Sequence, residues 1–168
     1  MRTPYAFLFC LFTVSLSAQE CVNGRYFTAN LFPDVTVTSG VQFGSNTGVS
    51  GSNQILRMDV YEPSNDALAL RPVVVCAFGG SFIAGSRADV APICTDFAKR
   101  GFVAVANDYR VGFFLPNQTT TMRAVMRGAH DMNACVRYLR KRVAELGNPY
   151  GIDTTRIYKA SRCVVAAT

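Results

Sequence analysis

The sequence predicts an α/β fold organised on a parallel sheet. Two observations carry that prediction. Short apolar runs at residues 73–77, 102–106 and 157–158 alternate with two segments of helical periodicity, the order that parallel strand connections require. The first run, Val73-Val74-Val75-Cys76-Ala77, is apolar without interruption, as a strand buried on both faces must be, and it opens into Gly79-Gly80. A length of 168 residues leaves room for one ordinary domain, whose size is roughly 100–200 residues. The 49% hydrophobic and 17% charged content suits a packed core and excludes disorder.

Taken in order, the chain starts with a targeting pattern. Arg2 gives a positive start, residues 6–16 are apolar apart from Thr13 and Ser15, and Ser15, Ser17 and Ala18 provide small residues for cleavage. Residues 1–19 therefore read as a signal peptide, and a secreted or periplasmic protein is expected. The run is shorter than the ~20 apolar residues of a spanning helix, and no later run is longer, so no membrane span is expected. Residues 20–34 carry little periodicity and read as an arm over the domain. Val35, Val37, Val41 and Phe43 alternate with polar residues and predict a first strand or hairpin. Residues 44–53, rich in Gly, Ser and Asn, read as a turn. Leu56, Met58 and Val60 alternate with Arg57 and Asp59, which predicts a strand exposed on one face.

Beyond the buried strand, Val90, Ile93, Cys94 and Phe97 have helical spacing, with Ser86 and Asp89 as a capping pair and Gly101 as the stop. Pro92 suits a helix that starts a little after the cap. Residues 102–106 are a second parallel strand ending in Asn107-Asp108-Tyr109-Arg110. The clearest helix covers residues 121–146, where Val125, Ala129, Met132, Val136, Leu139 and Val143 form one apolar stripe. Arg123, Arg127, His130, Arg137 and Lys141 fall on its other face. Gly147-Asn148-Pro149 ends this helix, and Ile157-Tyr158 begins a third parallel strand.

The formal net charge of +6 raises the question of an anionic partner. The basic residues are dispersed, however, and the cluster of Arg137, Arg140, Lys141 and Arg142 reads as a solvated helix face, so no nucleic acid is expected. Removing Cys10 with the leader leaves Cys21, Cys76, Cys94, Cys135 and Cys163. Export would allow some of these to pair, Cys21 with Cys94 being one option, while Cys76 inside the strand reads as a small hydrophobe. No Cys or His spacing suggests a metal, and no cofactor is expected.

A buried parallel strand that opens into Gly-Gly places backbone N–H groups at the carboxyl edge of a sheet, where they can hold a developing oxyanion. The plainer alternative is a tight strand-to-helix turn with no chemistry. Dinucleotide binding lacks a G-x-G-x-x-G after the strand, and the Gly80 to Gly85 spacing lacks the lysine of a phosphate loop, with Ser86-Arg87 in its place.

The ordered set LRMDVYEP, RPVVVCAFGGSFIAGS, DFAKRGFVAVANDYR, AVMRGAHDMNACVRYLR and YGIDTTRIY resembles the α/β-hydrolase family, specifically secreted bacterial carboxylesterases and lipases, over residues 54–158. The resemblance implies the amino-terminal part of an α/β-hydrolase sheet, mostly parallel with helices on both faces. It implies small-molecule ester substrates, with Gly79 and Gly80 as oxyanion-loop glycines and Ser81 adjoining. Asp108-Tyr109-Arg110 matches a structural element beside the family's site, and Asp131 matches an acidic residue of the long helix. Phe78 stands where relatives carry His.

After Tyr158 the family pattern is lost. Where a glycine-flanked nucleophile elbow is implied, the chain reads KASRCVVAAT, with Cys163 at the nucleophile position and Ser161 and Val165 where glycines belong. Ser161 as nucleophile would be flanked by Lys159 and Cys163. His130, the sole histidine, precedes the elbow, so a serine would have no base. The expectation is a partial hydrolase domain over residues 20–158 with a non-family tail at 159–168, truncated or frameshifted and without catalysis. A secreted, non-enzymatic binding protein is the alternative, and a thiol hydrolase using Cys163 a third reading.

Overall fold

A computed structural model describes residues 24–112 and 117–161. Five strands and two helices follow one another as β1 (Val35–Thr47), β2 (Asn53–Pro63), β3 (Arg71–Ala77), α1 (Ala91–Lys99), β4 (Val103–Asn107), α2 (Gln118–Leu146) and β5 (Ile152–Ser161). They form one sheet in the order β1-β2-β4-β3-β5. Strand β3 runs parallel to β4 on one side and β5 on the other, as the alternating pattern predicts. The β1–β2 and β2–β4 pairings are antiparallel, so the sheet is mixed, with its parallel part at β4, β3 and β5.

The continuous apolar run of β3 is explained by helices on both faces. Val73 and Val75, with Val103 and Val105 of β4 and Met58 and Val60 of β2, pack beneath Cys135, Val136 and Leu139 of α2. Val74 and Cys76, with Ala104 and Ala106, pack against Val90, Cys94 and Ala98 on the α1 side. Every residue of β3 and β4 is buried, and each fully buried valine contributes about 1.5–3 kcal/mol over an exposed one.

Local signals set the helix ends. The Ser86 N–H donates to Asp89 Oδ2 at 2.8 Å at a 3₁₀ turn (Arg87–Val90), and α1 starts after it with Pro92 in its first turn. Asn117 caps α2, its Oδ1 accepting from the Thr120 N–H at 2.9 Å, and Gly147 closes that helix at φ +70°. The arm expected at residues 20–34 is present over its described part. Tyr26 and Phe32 N–H groups donate to the Arg100 and Lys99 carbonyls at 3.0 and 2.9 Å, and Arg25 stacks over both rings while pairing with Asp66.

Four expectations need correction. The turn read at residues 44–53 is shorter, because β1 continues to Thr47 and only residues 48–52 turn. Cross-strand pairing from Gly44↔Leu56 to Thr47↔Asn53 overrides their weak strand preference. Strand β2 is not exposed along the whole of one face, since Tyr61 packs with the α1-side core and Asp59 is buried between Gly40 and Arg87. Strand β5 begins at Ile152 rather than 157, its first half hidden from a hydrophobicity reading by Asp153, Thr154 and Thr155. Finally, Val125 and Ala129 of the α2 stripe are exposed, and the first half of the helix instead buries Ala124, Gly128 and Asp131.

Candidate active site

Strands β3 and β4 lie side by side, yet the chain leaves β3 toward α1 on one face and β4 toward α2 on the other. Neighbouring strands that diverge in this way open a crevice at their carboxyl ends, where α/β proteins bind ligands. The glycine loop sits there. Gly80 has φ +121°, and a Cβ on it would lie 2.0 Å from the Ala84 carbonyl oxygen. The Ile83 N–H closes the turn onto the Gly80 carbonyl at 2.9 Å. Ser81 and Phe82 follow at φ +53° and +62°, so residues with side chains are held in the left-handed region. Among the described residues, the N–H groups of Gly79, Gly80 and Ser81 have no acceptor. Gly80 and Ser81 are exposed, and Gly79 is half-buried.

The loop is held from behind by Asp108, Tyr109 and Arg110, which continue from β4. The Tyr109 hydroxyl donates to the Phe78 carbonyl at 2.9 Å, and the two rings stack with centroids 4.2 Å apart. Phe82 meets the same Tyr109 edge-on at 5.7 Å and reaches Gly128 of α2, where a Cβ would come within 3.0 Å of its ring. Phe78, standing where the resemblance implies His, is therefore anchored by stacking and by its own carbonyl. Asp108 accepts from Arg87 Nη1 at 2.8 Å, and Arg87 Nε lies 2.9 Å from Asp59. Burial would lower the Arg87 pKa, but the two carboxylates outweigh it and hold the guanidinium more firmly charged. Behind Tyr109, Arg110 and Asp131 form a buried bidentate pair. Arg110 Nη2 donates to Oδ1 at 2.8 Å, Nε to Oδ2 at 2.8 Å, and the Arg110 backbone N–H to Oδ2 at 2.9 Å. Arg110 Nη1 also reaches the Thr47 carbonyl at 3.1 Å, which ties the β1–β2 turn to the site's support.

The structure brings Gly79, Gly80, Ser81, Asp108, Tyr109, Arg110 and Asp131 to one end of the sheet. Ser161 is the last residue of β5 and pairs with Ala77, two residues before Gly79. Cys163 and Val165 lie outside the described residues, as do the 1–19 leader and Cys21. His130 is exposed on α2, and no described contact joins it to the loop. Cys94, offered as a partner for Cys21, is a free and fully buried thiol beside Cys76, which is free as well. Among the described residues no group of three His, Cys, Asp or Glu gathers as a metal site, and no helix is long and apolar enough to cross a membrane. Reading the sequence alone misses Arg87, Gly85 and Gly128. The glycines carry no periodic signal, because their role is to make room for the Phe78 and Phe82 rings.

A central parallel strand ending in a glycine turn, flanked by helices on both faces and an antiparallel edge, is the arrangement of the amino-terminal part of an α/β-hydrolase domain. The chain belongs to the BD-FAE family, whose profile matches residues 58–160. Among solved structures it is similar to esterase 2 of the Planctomycetes species Thermogutta terrifontis. In the native form the identity is 30%, covering 77% of this chain and 40% of that one with a TM-score of 0.54. The apo form of that enzyme gives 30%, 77%, 42% and 0.55. A bacterial heroin esterase at 24% identity shares the fold, covering 77% of this chain and 36% of its own with a TM-score of 0.55. The chain thus spans about two fifths of the length of these esterases. No curated protein matches the sequence.

Proposed function

We propose that this chain carries the oxyanion-binding part of a secreted or periplasmic carboxylic-ester hydrolase acting on small-molecule esters, and that by itself it turns over no ester. One observation carries the reading. The N–H groups of Gly79, Gly80 and Ser81, without an acceptor among the described residues, lie just past the end of β3, and β5, from whose end the family's nucleophile would arise, pairs with β3 up to Ala77↔Ser161. A carbonyl carbon attacked from the β5 side would turn its oxygen toward the Gly79 and Gly80 donors. Such a donor is worth about 10²–10³-fold in rate. The attacking groups are not present in this sequence. Ser161 and Cys163 lack flanking glycines, and the single histidine, His130, sits on an exposed helix face. The similar Thermogutta terrifontis enzyme is an esterase that is phosphonylated by sarin.

Two assays test this. The purified chain should show no p-nitrophenyl acetate hydrolysis above buffer and no mass adduct with a phosphonyl fluoride. A chimera joining residues 1–160 to the part of Thermogutta esterase 2 that follows its matching strand should hydrolyse the ester and lose kcat on Gly80→Ala. Saturable hydrolysis by the chain alone, abolished by thiol blocking, would instead establish Cys163 as a nucleophile. A folded chimera whose rate is indifferent to Gly80 would remove the oxyanion assignment.

A further inference from the structure

Helix α2 carries one glycine, Gly128, which is buried and well inside its 29 residues. Glycine is a poor helix former and alanine the best, so local stability favours alanine at a helical position away from both ends. What meets Gly128 is the glycine loop. A Cβ there would stand 3.0 Å from Phe82 Cε1, 3.6 Å from Phe82 Cδ1 and 3.6 Å from Tyr109 Cδ2. The bare backbone is thus a seat for the half-buried Phe82 ring, which Tyr109 meets edge-on from the other side. The backbone of Phe82 is tied to the same turn of the helix. Its carbonyl accepts from the Gly112 N–H at 2.5 Å, and the Gly112 carbonyl accepts in turn from Nη2 of Arg127, the residue before Gly128, at 2.9 Å.

Ser81 and Phe82 have φ of +53° and +62°. Left-handed backbone at two successive residues with side chains persists only where the surroundings hold it. Those two residues follow Gly79 and Gly80 directly, so their torsions fix how the loop's N–H groups are aimed. We infer that Phe82 and Gly128 are positioning residues. The Phe82 ring, seated on the glycine notch of α2, holds the left-handed turn at Ser81-Phe82, and that turn sets the aim of the Gly79, Gly80 and Ser81 N–H groups. The inference rests on the oxyanion reading only for what those donors bind. It has a sign that simple packing does not. Alanine at 128 favours the helix and disturbs the donors, so stability and donor geometry move in opposite directions.

Gly128→Ala, Phe82→Leu and the double variant test it in the full chain. The readouts are the urea midpoint and the strong intraresidue HN–Hα NOE that a positive φ produces at residues 81 and 82. Gly128→Ala should weaken both NOEs without lowering the midpoint. Phe82→Leu, which lacks the ring edge, should weaken them as well, and Gly128→Ala added to it should change nothing further, because the atom that it meets is gone. In the chimera with Thermogutta esterase 2, Gly128→Ala should lower kcat about tenfold with KM within twofold, the mark of donors that act on the developing oxyanion. Unchanged NOEs in Gly128→Ala, or an equal effect of that change with and without Phe82, would overturn the inference. If Gly128→Ala fails to fold, unchanged NOEs in Phe82→Leu overturn it instead. A chimera dependent on Gly80 and indifferent to Gly128 would overturn it while leaving the oxyanion reading in place. Weakened NOEs beside a chimera indifferent to Gly80 would support it and remove the oxyanion reading.

Discussion

Tyr109 holds Phe78 twice, through a 2.9 Å hydrogen bond from its hydroxyl to the Phe78 carbonyl and through rings stacked 4.2 Å apart. The residue before the glycine turn is thus fixed by the strand next door. Tyr109→Phe keeps the stack and strands a buried carbonyl, so it should cost about 1–2 kcal/mol in urea unfolding. Tyr109→Ala removes the ring from between Phe78 and Phe82 and should cost about 3–5 kcal/mol. Equal losses for the two variants would show that the ring contributes nothing beyond its hydroxyl.

Gly80 is a conformational requirement. Its φ is +121°, and a methyl group on its Cα would stand 2.0 Å from the Ala84 oxygen, which leaves no space for a side chain. Gly80→Ala should force the turn to open, costing about 1–3 kcal/mol and shifting the backbone amide resonances of Gly79 to Gly85. Gly44→Ala, at a position with nothing within 4 Å, should leave those resonances in place.

Much of this arrangement is legible in the sequence, for reasons that differ by element. Strand β3 stands out because burial on two faces leaves no polar residue in the run, and the glycines after it mark the turn. Strand β5 is half hidden because an edge strand can carry Asp153, Thr154 and Thr155 without cost, so pairing sets its start and hydrophobicity does not. The α2 stripe misleads at Val125 and Ala129 because periodicity reports which residues share a face, not whether that face is covered. What buries the first half of the helix is the small pair Ala124 and Gly128 and the charged Asp131. The sequence gives Asp131 only as an acidic residue of the long helix, and its partner Arg110 comes beside it through the fold.

The Arg110–Asp131 pair should outweigh every surface pair in this chain. Its side chains are 8% and 3% exposed, and breaking one partner leaves the other charge buried. Asp131→Asn is expected to cost about 3–5 kcal/mol. Asp96→Asn removes an i,i+4 pair with Arg100 whose carboxylate is 54% exposed, and should cost no more than about 0.5 kcal/mol. Urea titration of both variants at one pH decides the order.

Cys135 should be inert to alkylation in the native protein. Burial pushes its thiol up to about 12, and Met58 Sδ lies 3.6 Å away with the α2-side core around it. At pH 8 almost none of it is the reactive thiolate. Iodoacetamide followed by peptide mass mapping should find Cys135 unmodified until denaturant is added, whereas labelling without denaturant would mean that α2 opens locally.

Two carboxylates should give opposite pH dependence to stability. Burial alone would raise Asp66, but the Arg25 guanidinium outweighs it, helped by the Leu68 N–H at 3.1 Å and by Arg71, and holds this carboxyl below its ordinary value. Its stabilisation is therefore full above the unfolded value of about 3.9 and is lost as pH falls through the folded value. Glu62 is the reverse. Burial raises it more than Arg71, 3.1 Å away, lowers it, so its contribution is greatest below the unfolded value of about 4.3 and shrinks as pH rises through the folded one. Relative to wild type, Asp66→Asn should become more damaging as pH rises from 2 to 5, and Glu62→Gln less damaging as pH rises from 4 to 7. Urea unfolding across that range measures both slopes, and slopes of the same sign would show that Arg71 dominates the Glu62 environment after all.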